Sequence, residues 1–101
     1  MISVVIPCYD EAEVLRATYR ALADAAAGWG EPAELVFVDD GSTDETWPII
    51  EWLAACDARV RGLRLSRNFG HQAAVGAGLE AARGEAVVVI DADLQDPPEL
   101  I

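Results

Sequence analysis

Short apolar runs alternate along the chain with longer stretches in which apolar positions recur every three or four residues. Residues 2–6 form a run rich in β-branched side chains, closed by Pro7, which cannot donate to a sheet ladder. Residues 11–27 are rich in Ala, Leu and Glu, with Val14, Leu15, Thr18, Tyr19 and Leu22 at helical spacing. They predict an amphipathic helix ended by Gly28. Residues 35–38 are a second apolar run, stopping at Asp39 and Asp40. The tetrapeptide STDE, from Ser42 to Glu45, fits a capping box and predicts a helix through about Cys56. Pro48 falls near its first turn, where a missing N–H costs least. Residues 60–65 predict a weaker third strand, 72–83 an Ala-rich helix stopped by Gly84, and 86–90 a fourth strand. Asp96 could cap one more helix, with Pro97 at its first position.

The order is therefore β-α-β-α-β-α-β. Strands that lack alternation are buried on both faces, which suits a parallel sheet between helix layers with right-handed crossovers. No internal repeat, linker or low-complexity segment interrupts the pattern, and residues 1–101 read as one truncated domain.

Of the 101 residues 52% are hydrophobic, enough for one real core and too many for disorder. Seven basic against eighteen acidic residues leave a net charge of −11, which repels nucleic acid and anionic lipid. An anionic ligand would need local help from a cation or from backbone amides. Cys8 and Cys56 form no CxxC pair and read as reduced, mostly buried thiols. No apolar run approaches the ~20 residues that span a bilayer. A strand-like run directly after Met1 argues against a signal peptide, so a cytoplasmic setting is expected.

In open parallel sheets, ligands bind beyond the carboxyl ends of the strands. Here those ends run into PCYDEAE, DDGSTD and DADLQD, and SRNFGH follows the third strand. Any one such loop could be a solvated turn with helix-capping carboxylates; several on one edge point to a ligand. Asp91 and Asp93 are an i, i+2 pair, and in extended chain both leave the same face. Two such charges at the mouth of a buried strand repel each other and resist leaving water. A divalent cation offsets the repulsion, and hard oxygen ligands favour Mg²⁺ or Mn²⁺. The same cation would let an acidic protein hold a diphosphate.

The motifs VVIPCYDEAE, VFVDDGSTDET, LSRNFGHQAA and VVVIDADLQDPPE, in this order and spacing, resemble those of the family 2 glycosyltransferases with a GT-A fold. In particular they resemble the branch that makes polyprenyl-phosphate sugars, such as dolichyl-phosphate mannose synthase and the bactoprenol glucosyltransferases. The resemblance covers essentially the whole chain. It implies an α/β, Rossmann-like three-layer GT-A nucleotide-sugar-binding fold with a mainly parallel sheet, of which residues 1–101 would be the N-terminal, donor-binding part. It also implies inverting transfer of a hexose from a UDP- or GDP-sugar, with Mg²⁺ or Mn²⁺, to a polyprenyl (dolichyl or undecaprenyl) phosphate. The family's acceptor-binding half has no counterpart in these residues. On that basis the full-length protein is expected at the cytoplasmic face of the membrane, and a homo-oligomer is left open.

By the same resemblance, Pro7, Tyr9, Glu11, Val38, Asp39, Asp40, Asp91, Ala92 and Asp93 would bind the nucleotide. Asp39 and Asp40 would read the base or ribose, and Tyr9 would stack on the base. Asp91 and Asp93 would be catalytic and, with Gln95, would surround the metal; Arg67 and Gln95 would face the diphosphate or sugar. A lipid phosphate acceptor is already ionised and needs no strong general base. The family usually has Asn where this chain has Asp10, which adds a charge beside the nucleotide.

Other features read as structural. GAGLEA, from Gly76 to Ala81, matches G-x-G-x-x-A but lies inside a helix pattern, where close helix packing explains the glycines. Trp29, Trp47 and Trp52 read as packing residues, and His71 either caps a helix start or faces the diphosphate. A phosphatase of the haloacid dehalogenase type would place its DxD on the first strand and want Thr or Val where Gln95 stands. A response-regulator receiver would need a distal Lys that is not evident. A nucleotide-binding module without transfer activity remains open.

Overall fold

The computed structural model describes residues 1–92; the expectations for Asp93, Gln95, Asp96 and Pro97 lie outside them. The element order is β1 (Ile2–Cys8), α1 (Leu15–Ala27), β2 (Ala33–Asp39), α2 (Thr46–Cys56), β3 (Val60–Arg64), α3 (His71–Ala81) and β4 (Ala86–Val89). All strand pairs are parallel, and the sheet order is β3-β2-β1-β4. The chain thus steps outward from β1 through β2 to β3, then returns across the sheet to β4. That reversal opens a crevice between the carboxyl ends of β1 and β4.

β1 and β2 form the buried spine, in register with Val4 beside Leu35, Val5 beside Val36 and Ile6 beside Phe37. Their side chains alternate between two apolar layers. Val4, Ile6, Leu35 and Phe37 pack with Leu15 and Leu22 of α1 and with Ile49, Ile50 and Leu53 of α2. Val5, Val36 and Val38 pack with Ala74 of α3 on the opposite face. A Cβ on Gly78 would come within 2.3 Å of Val5 Cγ1, so this glycine lets α3 lie close on the sheet. Gly76 faces open space, so helix packing accounts for only one of the two glycines.

The elements differ from the sequence expectation where loops compete for their backbone groups. β1 runs through Pro7 instead of stopping before it. Its carbonyls alternate, Val5 accepting from Ile90 and Cys8 from Asp40, so Pro7 turns its missing N–H toward β4. Strand pairing with β4 ends at Val5–Val89, so no bond to β2 is lost. α1 begins at Leu15, not at residue 11; Thr46 of α2 and Asp44 of the β2–α2 loop accept the amides of Glu11 and Ala12 ahead of it. α3 ends at Ala81: the Arg83 and Gly84 amides donate to Glu34 and Ser3 instead of continuing the helix. The expected capping box does not form. Ser42 Oγ accepts the Asp10 amide, and Asp44 accepts the Thr46 amide at the start of α2.

β4 was expected to be buried on both faces, yet Val87 and Val89 are each 40% exposed. Among the described residues β4 borders only β1, so it is an edge strand. Cys56 is exposed and only Cys8 is buried, which corrects the expectation of two buried thiols. Trp29 and Trp47 pack against the core as expected, whereas Trp52 is 55% exposed beneath the Arg16 guanidinium. No helix among the described residues is long and apolar enough to cross a membrane.

Below the sheet, Glu34 ties three segments together. Its carboxylate accepts Ser3 Oγ at 2.6 Å, the Arg83 amide at 2.6 Å and Arg61 Nη1 at 3.1 Å. Burial pushes the Glu34 carboxyl up, but these hydrogen bonds and the Arg61 charge outweigh it and hold it below its ordinary 4.5. A carboxyl lowered on folding adds stability above its ordinary range, and that stability is lost as pH falls through the folded value. Glu34→Gln should therefore cost about 1.5–3 kcal/mol at neutral pH in urea unfolding. The gap to wild type should narrow below about pH 4. A gap that stayed constant into acid would contradict the network.

Candidate functional site

A cavity of about 330 Å³ opens at the crevice between β1 and β4, lined by Pro7, Cys8, Tyr9, Glu11, Asp40, Asn68, Gly70, His71, Ala74, Asp91 and Ala92. This is within the size range of small-ligand pockets. The strands bring Pro7, Tyr9, Glu11, Asp40, Asp91 and Ala92 together from three separate motifs, as the sequence implied. Tyr9 is 45% exposed, leaving ring surface free for stacking. The remaining candidates among the described residues, Val38, Asp39 and Arg67, are placed elsewhere. Val38 packs in the α3-side core, and Asp39 is wholly buried. Asp39 Oδ1 accepts the Ser42 amide, and Oδ2 has no hydrogen-bond partner among the described residues, with Arg64 Nε at 3.8 Å. Arg67 stacks on the Phe69 ring and lines a second cavity with Gly41, Ser42, Arg64, Leu65 and Ser66.

Two loops lock together above the sheet. Asp10 adopts φ 52°, a left-handed conformation that Asp and Asn tolerate best among residues with side chains. Its amide donates to Ser42 Oγ at 2.9 Å, and its carboxylate accepts the Thr43 amide at 2.8 Å. Asp10 therefore engages the neighbouring loop, through an acceptor that Asn would also provide. Asp44 accepts the amides of Ala12 and Thr46. Burial raises its carboxyl, but the Thr46 and Ala12 hydrogen bonds prevail and lower it, keeping the lock ionised. Burial also pushes the Cys8 thiol far up, with the charges of Glu11 and Asp39 adding to the effect, which disfavours its thiolate.

Sequence reading missed Asn68 and Thr18, and left His71 undecided. Asn68 and His71 reach the cavity because the β3–α3 loop folds over the ends of β1 and β2. Thr18 looked like one more residue on the buried stripe of α1. It is 1% exposed, and its hydroxyl donates to the Ala92 carbonyl, between Asp91 and Asp93. The helix thus holds the backbone at Ala92, beside Asp91.

Among the described residues no group of three or more His, Cys, Asp or Glu side chains is placed to hold a metal ion. Asp91 supplies a hard oxygen donor at the cavity wall, which suits Mg²⁺ or Mn²⁺. The other expected ligands, Asp93 and Gln95, lie outside the described residues.

A model of the glycosyl transferase family 2 matches residues 3–101. The chain is 50% identical over 99 residues to an uncharacterized glycosyltransferase, YkcC, of Bacillus subtilis, covering 98% of this chain and 31% of that protein. It is 45% identical over 101 residues to an undecaprenyl-phosphate 4-deoxy-4-formamido-L-arabinose transferase of Shewanella sediminis, covering 99% and 30%. It is 43% identical over 100 residues to a bactoprenol glucosyl transferase of Shigella phage SfV, covering 99% and 33%. Among solved structures it resembles the mannosyltransferase PcManGT of Pyrobaculum calidifontis in complex with GDP-Man and Mn²⁺, with a TM-score of 0.79 at 25% identity over 95% of this chain and 32% of that one. It also resembles S. aureus TarS in complex with UDP, with a TM-score of 0.70 at 28% identity over 91% and 27%. The chain spans about a third of the length of these curated relatives.

Replacing Thr18 tests the link from α1 to the backbone of Ala92. Thr18→Val keeps the branched shape but leaves the Ala92 carbonyl without its donor, and should cost about 1–3 kcal/mol in urea unfolding. Thr18→Ser, which keeps the hydroxyl, should recover most of that loss. Equal stability of Thr18→Val and wild type would remove the link.

Proposed function

Because the chain belongs to glycosyl transferase family 2, we propose that its cavity is the donor site of an inverting transferase. The enzyme moves a hexose from a nucleoside diphosphate to a polyprenyl phosphate. The observation that carries this reading is the convergence of Tyr9, Glu11, Asp40 and Asp91 on one cavity at the strand-order reversal. The relatives named for undecaprenyl phosphate and bactoprenol support the lipid acceptor. The neighbours solved with GDP-Man and Mn²⁺ or with UDP support a nucleotide-linked donor.

In this reading Tyr9 stacks on the base, and Asp91 with Asp93 and Gln95 would hold Mg²⁺ or Mn²⁺. When bound, that cation would stabilise charge developing on the departing diphosphate. The side chains that wall the cavity hold the donor in place. The acceptor phosphate attacks the anomeric carbon without a protein base. Much of the rate would come from holding acceptor and donor in line. The polar strand-end loops described here are committed to donor or to one another. The acceptor is therefore held by other parts of the enzyme, at the cytoplasmic face of the membrane.

Two outcomes are expected. In calorimetric titration, UDP or GDP binds the chain more tightly with Mn²⁺ than with chelator. Asp93→Ala lowers affinity on the order of tenfold or more in Mn²⁺ and little in chelator; equal affinity of variant and wild type in Mn²⁺ would contradict the metal assignment. With UDP-glucose or GDP-mannose, Mn²⁺ and polyprenyl phosphate in detergent, this chain forms no labelled glycolipid. Robust product would place the acceptor site within these residues.

A further inference from the structure

The second cavity, about 370 Å³, opens at the carboxyl ends of β2 and β3 and is lined by Gly41, Ser42, Arg64, Leu65, Ser66 and Arg67. Its charge is the reverse of the first. The β1–β4 cavity carries Glu11, Asp40 and Asp91 and no arginine. Among the described residues this one carries two of the chain's seven basic side chains and no carboxylate. Arg59 and Arg61 are held by Asp57 and Glu34 in ordinary ion pairs. Arg67 has only the Phe69 ring for a partner among the described residues. Arg64 Nε stands 3.8 Å from Asp39 Oδ2, beyond hydrogen-bond length, and its Nη donors have no acceptor there. Two guanidinium groups on one cavity are stabilised by an anion between them.

The donors are also held in place. Arg64 lies over the Trp47 ring at 5.6 Å and Arg67 over the Phe69 ring at 4.7 Å. A guanidinium stacked on a ring keeps its N–H groups free in its own plane, the arrangement that grips an oxyanion. The backbone beneath is pinned, because the Asp39 carbonyl accepts the Leu65 amide at 2.9 Å and Asp39 Oδ1 the Ser42 amide at 3.0 Å. Asp40 accepts the Phe69 and Gly70 amides, which seats the loop that carries Arg67. A Cβ on Gly41 would lie 2.3 Å from the Arg67 carbonyl carbon, so this loop rests directly on Gly41. Ser42 Oγ accepts the Asp10 amide, leaving its hydroxyl hydrogen to donate, and neither it nor Ser66 finds an acceptor among the described residues.

We propose that this cavity binds a small phosphate dianion, free or as a monoester, between Arg64 and Arg67 and apart from the donor. The sheet order places β3 and β4 three strand spacings apart, roughly 14 Å. A phosphate here is therefore neither the donor's diphosphate beside Asp91 nor an acceptor in line with it. The net charge of −11 opposes an anionic membrane surface more than a small ion seated between two arginines.

Inorganic phosphate is titrated into the isotopically labelled chain at constant ionic strength, with chloride as the balancing anion. Saturable NMR shifts are expected at the Ser42, Ser66 and Arg67 amides, and none at Arg16 or Arg83. Arg67→Gln should lower the affinity about tenfold or more, and Arg67→Lys should recover part of that loss. Arg64→Gln also strips the buried Asp39 carboxylate of its nearby charge, so Arg67→Gln is the decisive variant. Shifts that do not saturate, or equal affinity in Arg67→Gln, would overturn the proposal. So would sedimentation with phosphatidic acid vesicles by a chain that binds no free phosphate. Saturating UDP-glucose or GDP-mannose with Mg²⁺ should leave phosphate binding intact, and its loss would make the cavity part of the donor site. If the chain binds neither nucleotide sugar, the donor-site reading fails, and the phosphate titration still decides this one.

Discussion

The burial of β1 and β2 between helix layers is the constraint on which the rest depends. Val4, Val5, Ile6, Val36, Phe37 and Val38 are all fully buried. Their backbone polar groups can be satisfied only by the parallel ladder, because no water reaches them. The sheet's middle can therefore carry no chemistry. Polar side chains are displaced to the strand ends, with Glu34 and Ser3 at one edge and the acidic loops at the other. The reversal of strand order between β1 and β4 then decides where at that second edge a ligand can sit.

The loops at the carboxyl edge are held largely by one another. Asp10, Ser42, Thr43, Asp44 and Thr46 join the first two, while Asp40 and Gly41 seat the third. Thr18 holds Ala92, just beyond β4, from the helix beneath it. Among the acidic side chains of this edge Asp44 organises backbone, Asp91 lines the cavity, and Asp40 does both. A net charge of −11 alone would suggest a surface hostile to phosphate. Carboxylates that accept backbone amides spend part of their acceptor capacity inside the protein.

The α/β class and element order were legible because apolar runs and helical spacing are local signals. The convergence of Tyr9, Glu11, Asp40 and Asp91 was legible because parallel strands align their carboxyl ends. Element boundaries were not. Beside the start of α1 and the end of α3 stand side chains remote in sequence, Asp44 and Thr46 at the first and Glu34 and Ser3 at the second, which no local pattern reveals. Pro7 looked like a strand stop because the side to which its missing N–H points depends on where β4 ends. Thr18 was hidden in the apolar stripe, where a hydroxyl with a remote carbonyl partner looks like any other small buried residue. Asp39 and Asp40, adjacent in sequence, were read alike, yet one is buried beneath the loops and the other lines the cavity.

The account's central claim is that a nucleoside diphosphate and a divalent cation meet at the β1–β4 crevice. Paramagnetic broadening tests it most directly: Mn²⁺ added at substoichiometric level with UDP or GDP to the isotopically labelled chain, with each amide followed by NMR. The account predicts strong, nucleotide-dependent broadening at Tyr9, Gly70 and Ala92, and none at Ala33 or Gly84 on the opposite edge of the sheet. Broadening centred away from the crevice, or unaffected by nucleotide, would contradict it.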